Sequence, residues 1–180
     1  MSFKPKKCKV CKTEYTPRNS LQSVCSPKCA QYHAQTLRQK KERTERRIAK
    51  EKLKRKYDYV KEAQHSFNAY IRARDADLPC ISCGRFHNGQ YHAGHYRPTS
   101  TEPSLRFHED NVHKQCSACN THLHGNLIEY RINLIKRIGQ QKIDWLEGKH
   151  DPKHYTIEEL KEIKAKYNQL TRELRKISNV

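Results

Sequence analysis

Apolar residues are scarce in this sequence, and it contains no long hydrophobic run. Hydrophobic residues make up 34% of the 180 residues, charged residues make up 31%, and the mean hydropathy is −1.09. No stretch approaches the roughly 20 apolar residues of a transmembrane helix, and the N-terminal MSFKPKKCKV lacks the apolar core of a signal peptide. We therefore expect a protein of the reducing cytoplasm, without a membrane partner, whose compact units need more than a hydrophobic core for stability.

Acidic residues are also few. The chain has 37 Lys and Arg against 19 Asp and Glu, which gives a formal net charge of +18 and a pI near 9.7. A surplus of this size makes a polyanion, either nucleic acid or an anionic surface, the default partner.

The positive charge is concentrated in residues 38–56. This segment has no Gly or Pro and is rich in good helix formers, so it predicts a solvated helix. Two interpretations stay open: an arm that follows DNA phosphates, or a solubilising spacer. Under the first interpretation the DNA-binding residues are Arg38, Lys40, Lys41, Arg43, Arg46, Arg47, Lys50, Lys52, Lys54, Arg55 and Lys56.

Cysteine, by contrast, is plentiful, and its spacing is regular. The 8 cysteines fall into close pairs within CKVC, CSPKC, CISC and CSAC. Disulfides rarely persist in a reducing cytoplasm, and free buried cysteines have no reason to pair in this way. Two close pairs can complete one tetrahedral zinc site. The pattern predicts two structural zinc ions, one held by Cys8, Cys11, Cys25 and Cys29 and one held by Cys80, Cys83, Cys116 and Cys119.

The first quartet has the looser CSPKC spacing, and His33 is a substitute ligand there. In the second quartet, Gly84 follows the CISC knuckle, where a turn often needs a positive φ. A strand is predicted at 90–96, and the CSAC pair opens a segment that turns helical. Together these features predict a zinc-stabilised treble clef in a helix-rich α+β protein, with a small N-terminal zinc finger and long flanking helices.

Apolar spacing predicts further helices. One covers residues 59–76, and another begins at Leu127 and is stopped by Gly139. Thr156 and Glu159 form a capping-box pattern that opens a C-terminal helix. The apolar stripe of that helix is either core or a seam for a partner helix.

Three polar residues near the second quartet suggest chemistry. His95 closes the predicted strand, Asn111 lies in the following loop, and Asn120 directly follows the last cysteine. Phosphodiester hydrolysis needs a base that deprotonates water and a cation that stabilises the developing charge. One zinc clamp would hold a strand histidine opposite an amide oxygen and so supply the base and the cation ligand. An amide oxygen can bind Mg²⁺.

The motif order resembles a known family. CISC, AGHYRP, Asn111 and CSACN in this order resemble a zinc-clamped HNH (ββα-metal) nuclease, similar in layout to phage endonuclease VII. More closely, FNAYIRARDADLPCISCG, HAGHYRP, NVHKQCSACN, GNLIEY and LIKRIG resemble the lambdoid phage NinG (Rap) recombination proteins. The resemblance implies a phage-encoded, structure-selective endonuclease for branched DNA such as Holliday junctions or D-loops, with a catalytic Mg²⁺ or Mn²⁺ ion.

By motif position, the resemblance implies a role for each residue. His95 is the general base, Asn111 orients its imidazole, Asn120 ligates the catalytic ion, and Arg97 joins the DNA-binding residues. The segments are then an N-terminal zinc finger (1–32), a basic helical arm (33–58), an HNH-like nuclease core (59–150) and a C-terminal amphipathic helix (151–180).

One position departs from the family pattern. Many such nucleases have an Asp immediately before the base histidine as a second metal ligand, and this chain has Gly94. His92 lies two residues earlier, on the same strand face, and is the nearest substitute. Rival substitutes are Asp110, His113 and His122.

Two other functions stay open. The first is a non-catalytic zinc-dependent nucleic-acid-binding protein, in which His95 and Asn120 satisfy local hydrogen bonds. The second is a zinc-dependent assembly protein that uses its C-terminal helix. A homodimer and phage or host recombination proteins are candidate partners under each of these functions. DNA cleavage that depends on added Mg²⁺ or Mn²⁺ separates a nuclease from both.

Overall fold

The computed structural model describes residues 3–177, which form two compact units that divide between Lys54 and Arg55. The predicted N-terminal finger and most of the basic arm fall in the first unit. The predicted nuclease core and the C-terminal helix fall in the second. Between residues 3 and 177, no helix has both the length and the apolar character needed to cross a membrane.

The first unit begins with a two-stranded antiparallel sheet. Strand β1 (Lys6–Lys7) pairs with β2 (Glu14–Tyr15), and the first cysteine pair lies in the turn between them. Helix α1 (Pro27–Lys52) follows. Its N-cap is Ser26, whose side chain accepts a hydrogen bond from the Cys29 N–H, and proline at the first helical position already has the φ that a helix requires.

Helix α1 lies in solvent along its whole length. None of its 26 residues is buried, and its charges form pairs one turn apart, such as Arg38–Glu42 and Lys41–Glu45. Exposed pairs of this kind contribute little stability. The prediction of a solvated basic helix is confirmed, and the helix begins earlier than the arm, inside the first cysteine quartet.

The second unit has a core built from two long helices and a hairpin. Helix α2 (Lys56–Arg74) packs along helix α5 (Ile157–Ile177), and both contact the hairpin through a shared cluster. The buried members of that cluster are Ala63, Phe67, Ile71, Phe107, Val112, Leu160 and Tyr167. The apolar stripe of α5 is therefore core. Its predicted capping box is also present, because Thr156 and Glu159 exchange side chain–backbone hydrogen bonds of 2.7 and 3.1 Å.

The hairpin is antiparallel. Strand β3 (Tyr91–His95) pairs with β4 (Val112–Cys116), so that Tyr91 lies opposite Cys116 and His95 opposite Val112. Short 3₁₀ turns at Pro103–Leu105 and Glu109–Asn111 occupy the connection.

Two shorter helices cover the other side of the hairpin. Helix α3 (Leu127–Ile138) ends at Gly139, whose φ of +86° is left-handed, and helix α4 (Gln140–Glu147) follows directly. A second core cluster joins them to the hairpin region through Ile81, Tyr96, Leu105, Tyr130, Leu134, Ile143 and Leu146.

The helix predicted to begin at Leu127 is confirmed, but the helix expected to carry the last cysteine pair is a single turn. Cys116 ends β4, and Cys119 lies in a single π-helical turn at Ala118–His122. His124, Gly125 and Asn126 then have φ values of +48°, +93° and +43°. Three successive left-handed residues cannot continue a right-handed helix, so α3 begins anew at Leu127.

Candidate functional site

The first cysteine quartet converges as a possible zinc site. The sulfur atoms of Cys8, Cys11, Cys25 and Cys29 all lie within 4.8 Å of one another. Four convergent thiols are the donor set that structural zinc prefers. Cys29, carried by the first turn of α1, supplies the fourth sulfur, so the quartet is complete without His33.

The second quartet converges in the same way. The sulfurs of Cys80, Cys83, Cys116 and Cys119 also lie within 4.8 Å of one another. Backbone N–H groups point at the sulfurs, as a thiolate requires, with Cys116 N–H donating to the Cys80 sulfur at 3.3 Å. Gly84 has a φ of +66° and its N–H bonds to the Cys80 carbonyl at 2.9 Å, which confirms the predicted knuckle turn. Zinc fits both quartets.

Two side-chain amide oxygens lie beside Gly94, close to this second quartet. If Gly94 carried a Cβ atom, that atom would lie 2.1 Å from Oε1 of Gln115 and 3.1 Å from Oδ1 of Asn120. Two amide oxygens therefore meet at one point on the strand. The pairing also places His92 directly opposite Gln115, which puts His92 on the same face as Gly94.

Sequence reasoning missed Gln115. It is only 1% exposed, and its Oε1 has no hydrogen-bond partner among the described residues. Its significance depends on the strand register, which brings it to Gly94 from the other strand. The one local signal was its position directly before a zinc cysteine.

His95 is held by a backbone carbonyl. Its Nε2 lies 3.0 Å from the carbonyl oxygen of Arg106. Because a carbonyl can only accept, Nε2 carries the proton and Nδ1 keeps the free lone pair. Burial lowers the pKa of His95, and the charge of Arg106 lowers it further, although the hydrogen bond to the carbonyl partly opposes this. The ring is therefore neutral at neutral pH, with Nδ1 able to accept a proton.

Asn111 reaches His95 only indirectly. The implied role was direct orientation of the imidazole, but the carbonyl of Arg106 holds the ring instead. The buried Asn111 amide donates to the carbonyls of Arg97 (3.1 Å) and Leu105 (3.2 Å), and its Oδ1 accepts from Arg97 N–H at 2.8 Å. Asn111 thus closes the loop that carries Arg106, because an amide with both a donor and an acceptor can bridge both ends of the loop.

The remaining candidate ligands are engaged elsewhere or exposed. Asp110 pairs with Lys142 at 2.8 Å, and His122 is exposed in the π-helical turn. His113 lies opposite Gly94 but is buried against Tyr130, and this burial lowers its pKa to about 3. His92 is partly exposed, as a ligand that also meets substrate would need to be.

The predicted DNA-binding residues lie in both units. Those from Arg38 to Lys54 belong to α1 or directly follow it, and all of them except the partly exposed Lys54 are exposed. Arg55 and Lys56 begin α2 in the second unit. Arg97 is partly buried at the loop after β3, and its Nε lacks a hydrogen-bond partner among the described residues.

These features define a helix-rich α+β protein with small two-stranded sheets and two four-cysteine clusters that can each hold zinc. The family model described as Bacteriophage Lambda NinG protein matches residues 2–177, so the chain belongs to the NinG family.

Its relatives match over nearly their full lengths. The chain is 44% identical to Protein ninG of Escherichia phage 933W, with 94% of each chain covered. It is 43% identical to Protein ninG of Escherichia phage lambda, with 97% of each covered, and 42% identical to Protein ninG of Salmonella phage P22, with 92% of this chain and 90% of the relative covered. No solved structure matches. The resemblance seen in the sequence motifs is thus confirmed at the level of the family.

Proposed function

We propose that this protein is a metal-dependent DNA endonuclease that cuts branched DNA. The observation that carries the proposal is the state of His95. A buried carbonyl contact fixes the proton on Nε2 and leaves Nδ1 free on a neutral ring. Nδ1 can take a proton from an attacking water. His95 directly follows Gly94, where the two amide oxygens meet.

The proposed metal ligands lie on the strand face opposite to His95. The Asn120 amide oxygen lies beside Gly94, and His92 lies two residues earlier on the same strand face. Hard oxygen ligands suit Mg²⁺ or Mn²⁺. A divalent ion bound there would act as a Lewis acid that stabilises negative charge on the phosphate and the leaving oxygen.

His95 points away from the amide oxygens beside Gly94, and this arrangement suits the chemistry. Successive strand residues point to opposite faces, so His95 and the residues around Gly94 approach a bound phosphate from different sides. Phosphodiester hydrolysis proceeds with attacking and leaving oxygens on opposite sides of phosphorus. His95 would thus deprotonate the attacking water, while an ion held by Asn120 and His92 would stabilise charge on the leaving oxygen.

The second zinc cluster would act as the scaffold of this site. Asn120 directly follows the zinc-site residue Cys119, and β4, which pairs with the His95 strand, ends in Cys116. Structural zinc stabilises small folds strongly, which fits a chain with few apolar residues. This arrangement supports the HNH-like interpretation of the hairpin and the cysteine clamp.

The basic helix α1 would supply DNA affinity. Its cations are exposed and none of its residues contributes to a core, so a polyanion can approach it along its length. The preference for branched DNA comes from the resemblance to recombination proteins and not from any contact in the site.

The proposal is tested by incubating the zinc-loaded protein with linear, flap, D-loop and four-way junction DNAs, with and without Mg²⁺ or Mn²⁺. Metal should be withheld rather than chelated, since chelators also strip zinc. We expect metal-dependent nicking that is strongest on a branched substrate. Binding of every DNA without cleavage at any metal concentration would instead support the non-catalytic binding protein.

A further inference from the structure

Gly94 is required for space and not for its backbone conformation. Its φ is not among the positive values of the described residues, so other residue types could adopt the same backbone. The obstacle is Oε1 of Gln115, which lies 2.1 Å from where a Cβ atom would be. Gln115 reaches across from β4 and occupies the position that a side chain at residue 94 would take.

The orientation of the Gln115 amide is fixed by its nitrogen. Nε2 donates to the Ser82 hydroxyl at 2.6 Å and to the Gly125 carbonyl at 2.5 Å. A carbonyl cannot donate, so the NH₂ end must face Gly125 and the oxygen must face Gly94. Ser82 lies between two zinc-site cysteines, so the cysteine clamp itself holds this amide.

The oxygen of Gln115 faces Gly94 without a protein partner. It is buried, lacks a hydrogen bond among the described residues, and lies within about 5 Å of the Asn120 amide oxygen, since both flank one point. A buried acceptor without a partner destabilises the fold, so an arrangement that retains one calls for a binding partner. A divalent cation would satisfy both oxygens together.

We propose that Gln115 is a ligand of the catalytic divalent cation and that its amide oxygen replaces the carboxylate that related nucleases carry at the position of Gly94. This inference rests on the proposed function, because it assigns a further residue to the same cation. Gln115, Asn120 and His92 then form a ligand set without a charged carboxylate. Such a set should bind Mg²⁺ or Mn²⁺ more weakly than one that includes a carboxylate.

The geometry of Gly94 and Gln115 provides a reciprocal test. Gln115→Ala removes the oxygen, and Gly94→Ala places a Cβ where the oxygen sits and pushes it aside. Each single variant should weaken Mn²⁺ binding by about tenfold or more, since even outer-sphere metal contacts are worth 10–100-fold. The double variant Gly94→Asp with Gln115→Ala has room for the carboxylate and should bind Mn²⁺ at least as tightly as the wild type.

The measurement is Mn²⁺ binding by electron paramagnetic resonance on zinc-loaded protein, with zinc content determined on each sample. Recovery of binding in the double variant supports the ligand role, because a merely structural Gln115 would not be replaced by a carboxylate on the opposite strand. Wild-type Mn²⁺ affinity in Gly94→Ala and Gln115→Ala at full zinc content overturns it. If Gln115→Ala loses zinc, Gly94→Ala decides alone, since it keeps the Gln115 side chain and displaces its oxygen.

Cleavage assays on the same samples separate this inference from the proposed function. A wild-type protein that binds Mn²⁺ through Gln115 but leaves every DNA intact refutes the nuclease and upholds the metal site. Metal-dependent cleavage by the wild type, together with unchanged Mn²⁺ binding in both single variants, upholds the nuclease and refutes the role of Gln115.

Discussion

His95 and Arg106 are joined by a hydrogen bond from the imidazole Nε2 to the Arg106 carbonyl, 3.0 Å long. Burial and the Arg106 charge lower the pKa of His95 below its usual 6.5. A general base must be neutral, so activity should be full at neutral pH and fall only as pH drops through this lowered pKa. The pH profile of cleavage should therefore have its midpoint below 6.5.

Arg106→Gln provides the matched variant for this profile. It keeps the backbone carbonyl that bonds to His95 and removes the side-chain charge that lowers the pKa of His95. The midpoint of the pH profile should move upward. A midpoint above 6.5 in the wild type, or one that does not respond to Arg106→Gln, would contradict the assignment of His95 as the titrating base.

The basic helix should control the salt dependence of DNA binding. Replacing Arg43, Arg46, Arg47 and Lys50 with Gln removes exposed charges and keeps good helix formers. The slope of log K against log salt should fall by up to about 0.9 for each charge lost. Circular dichroism should show unchanged helicity, because no residue of α1 is buried. An unchanged salt slope would show that helix α1 is a solubilising spacer and does not bind DNA phosphates.

The zinc content should divide between the two compact units. Metal analysis of the wild type should find about two equivalents, since each complete thiolate quartet binds one ion. Cys29→Ser should lose about one equivalent and His33→Ala none, because Cys29 supplies the fourth sulfur of the first quartet. If Cys29→Ser still binds about two equivalents of zinc, His33 and not Cys29 is the fourth ligand of the first quartet.

A buried ion pair connects α2 to the hairpin. Asp75, only 2% exposed, accepts two hydrogen bonds from Arg74 (2.8 and 3.0 Å) and one from Lys114 N–H (2.9 Å). Asp75→Asn removes the negative charge that pairs with Arg74, although Arg74 keeps its hydrogen bonds to the Glu109 and Val112 carbonyls. The change should lower the free energy of unfolding by about 3 kcal/mol at pH 7. The exposed Asp77→Asn is the matched control and should change little.

The effect of Asp75 should depend on pH with a defined sign. Burial alone would raise the Asp75 pKa, but the hydrogen bonds and charge of Arg74 hold it below its usual value. Its contribution is therefore complete above about pH 4 and is lost as pH falls through the lowered pKa. Urea denaturation should show the difference between the wild type and Asp75→Asn narrowing only below about pH 4. A constant difference throughout the acid range would exclude this linkage.

Local sequence patterns predicted much of the fold. The cysteine pairs, the Gly84 turn, the strand that ends at His95 and the capping box at Thr156 each depend on residues close in sequence, and each is present. The start of α3 at Leu127 was predicted from apolar spacing, and Gly125 and Asn126 before it are residue types that tolerate left-handed backbone. The position of Cys116 at the end of a strand and the single π-helical turn at Cys119 were not predicted.

The geometry of the site could not be read from the sequence, because it depends on strand register and loop closure. Gln115 meets Gly94 only because β4 pairs with β3 in one particular register. Asn111 directly precedes Val112, the strand partner of His95, yet its amide bonds to Arg97 and Leu105, and a carbonyl holds the imidazole instead. Contacts between residues distant in sequence are fixed by packing, which local patterns do not specify.

The nuclease assignment is tested most directly by cleavage of a four-way junction with Mg²⁺ by the wild type, His95→Ala and the exposed control His65→Ala. DNA binding and zinc content are measured in parallel. The account predicts that His95→Ala keeps both but cleaves about 10²–10⁴-fold more slowly, because it lacks only the base, while His65→Ala behaves as the wild type. Near-wild-type cleavage by His95→Ala would contradict the account.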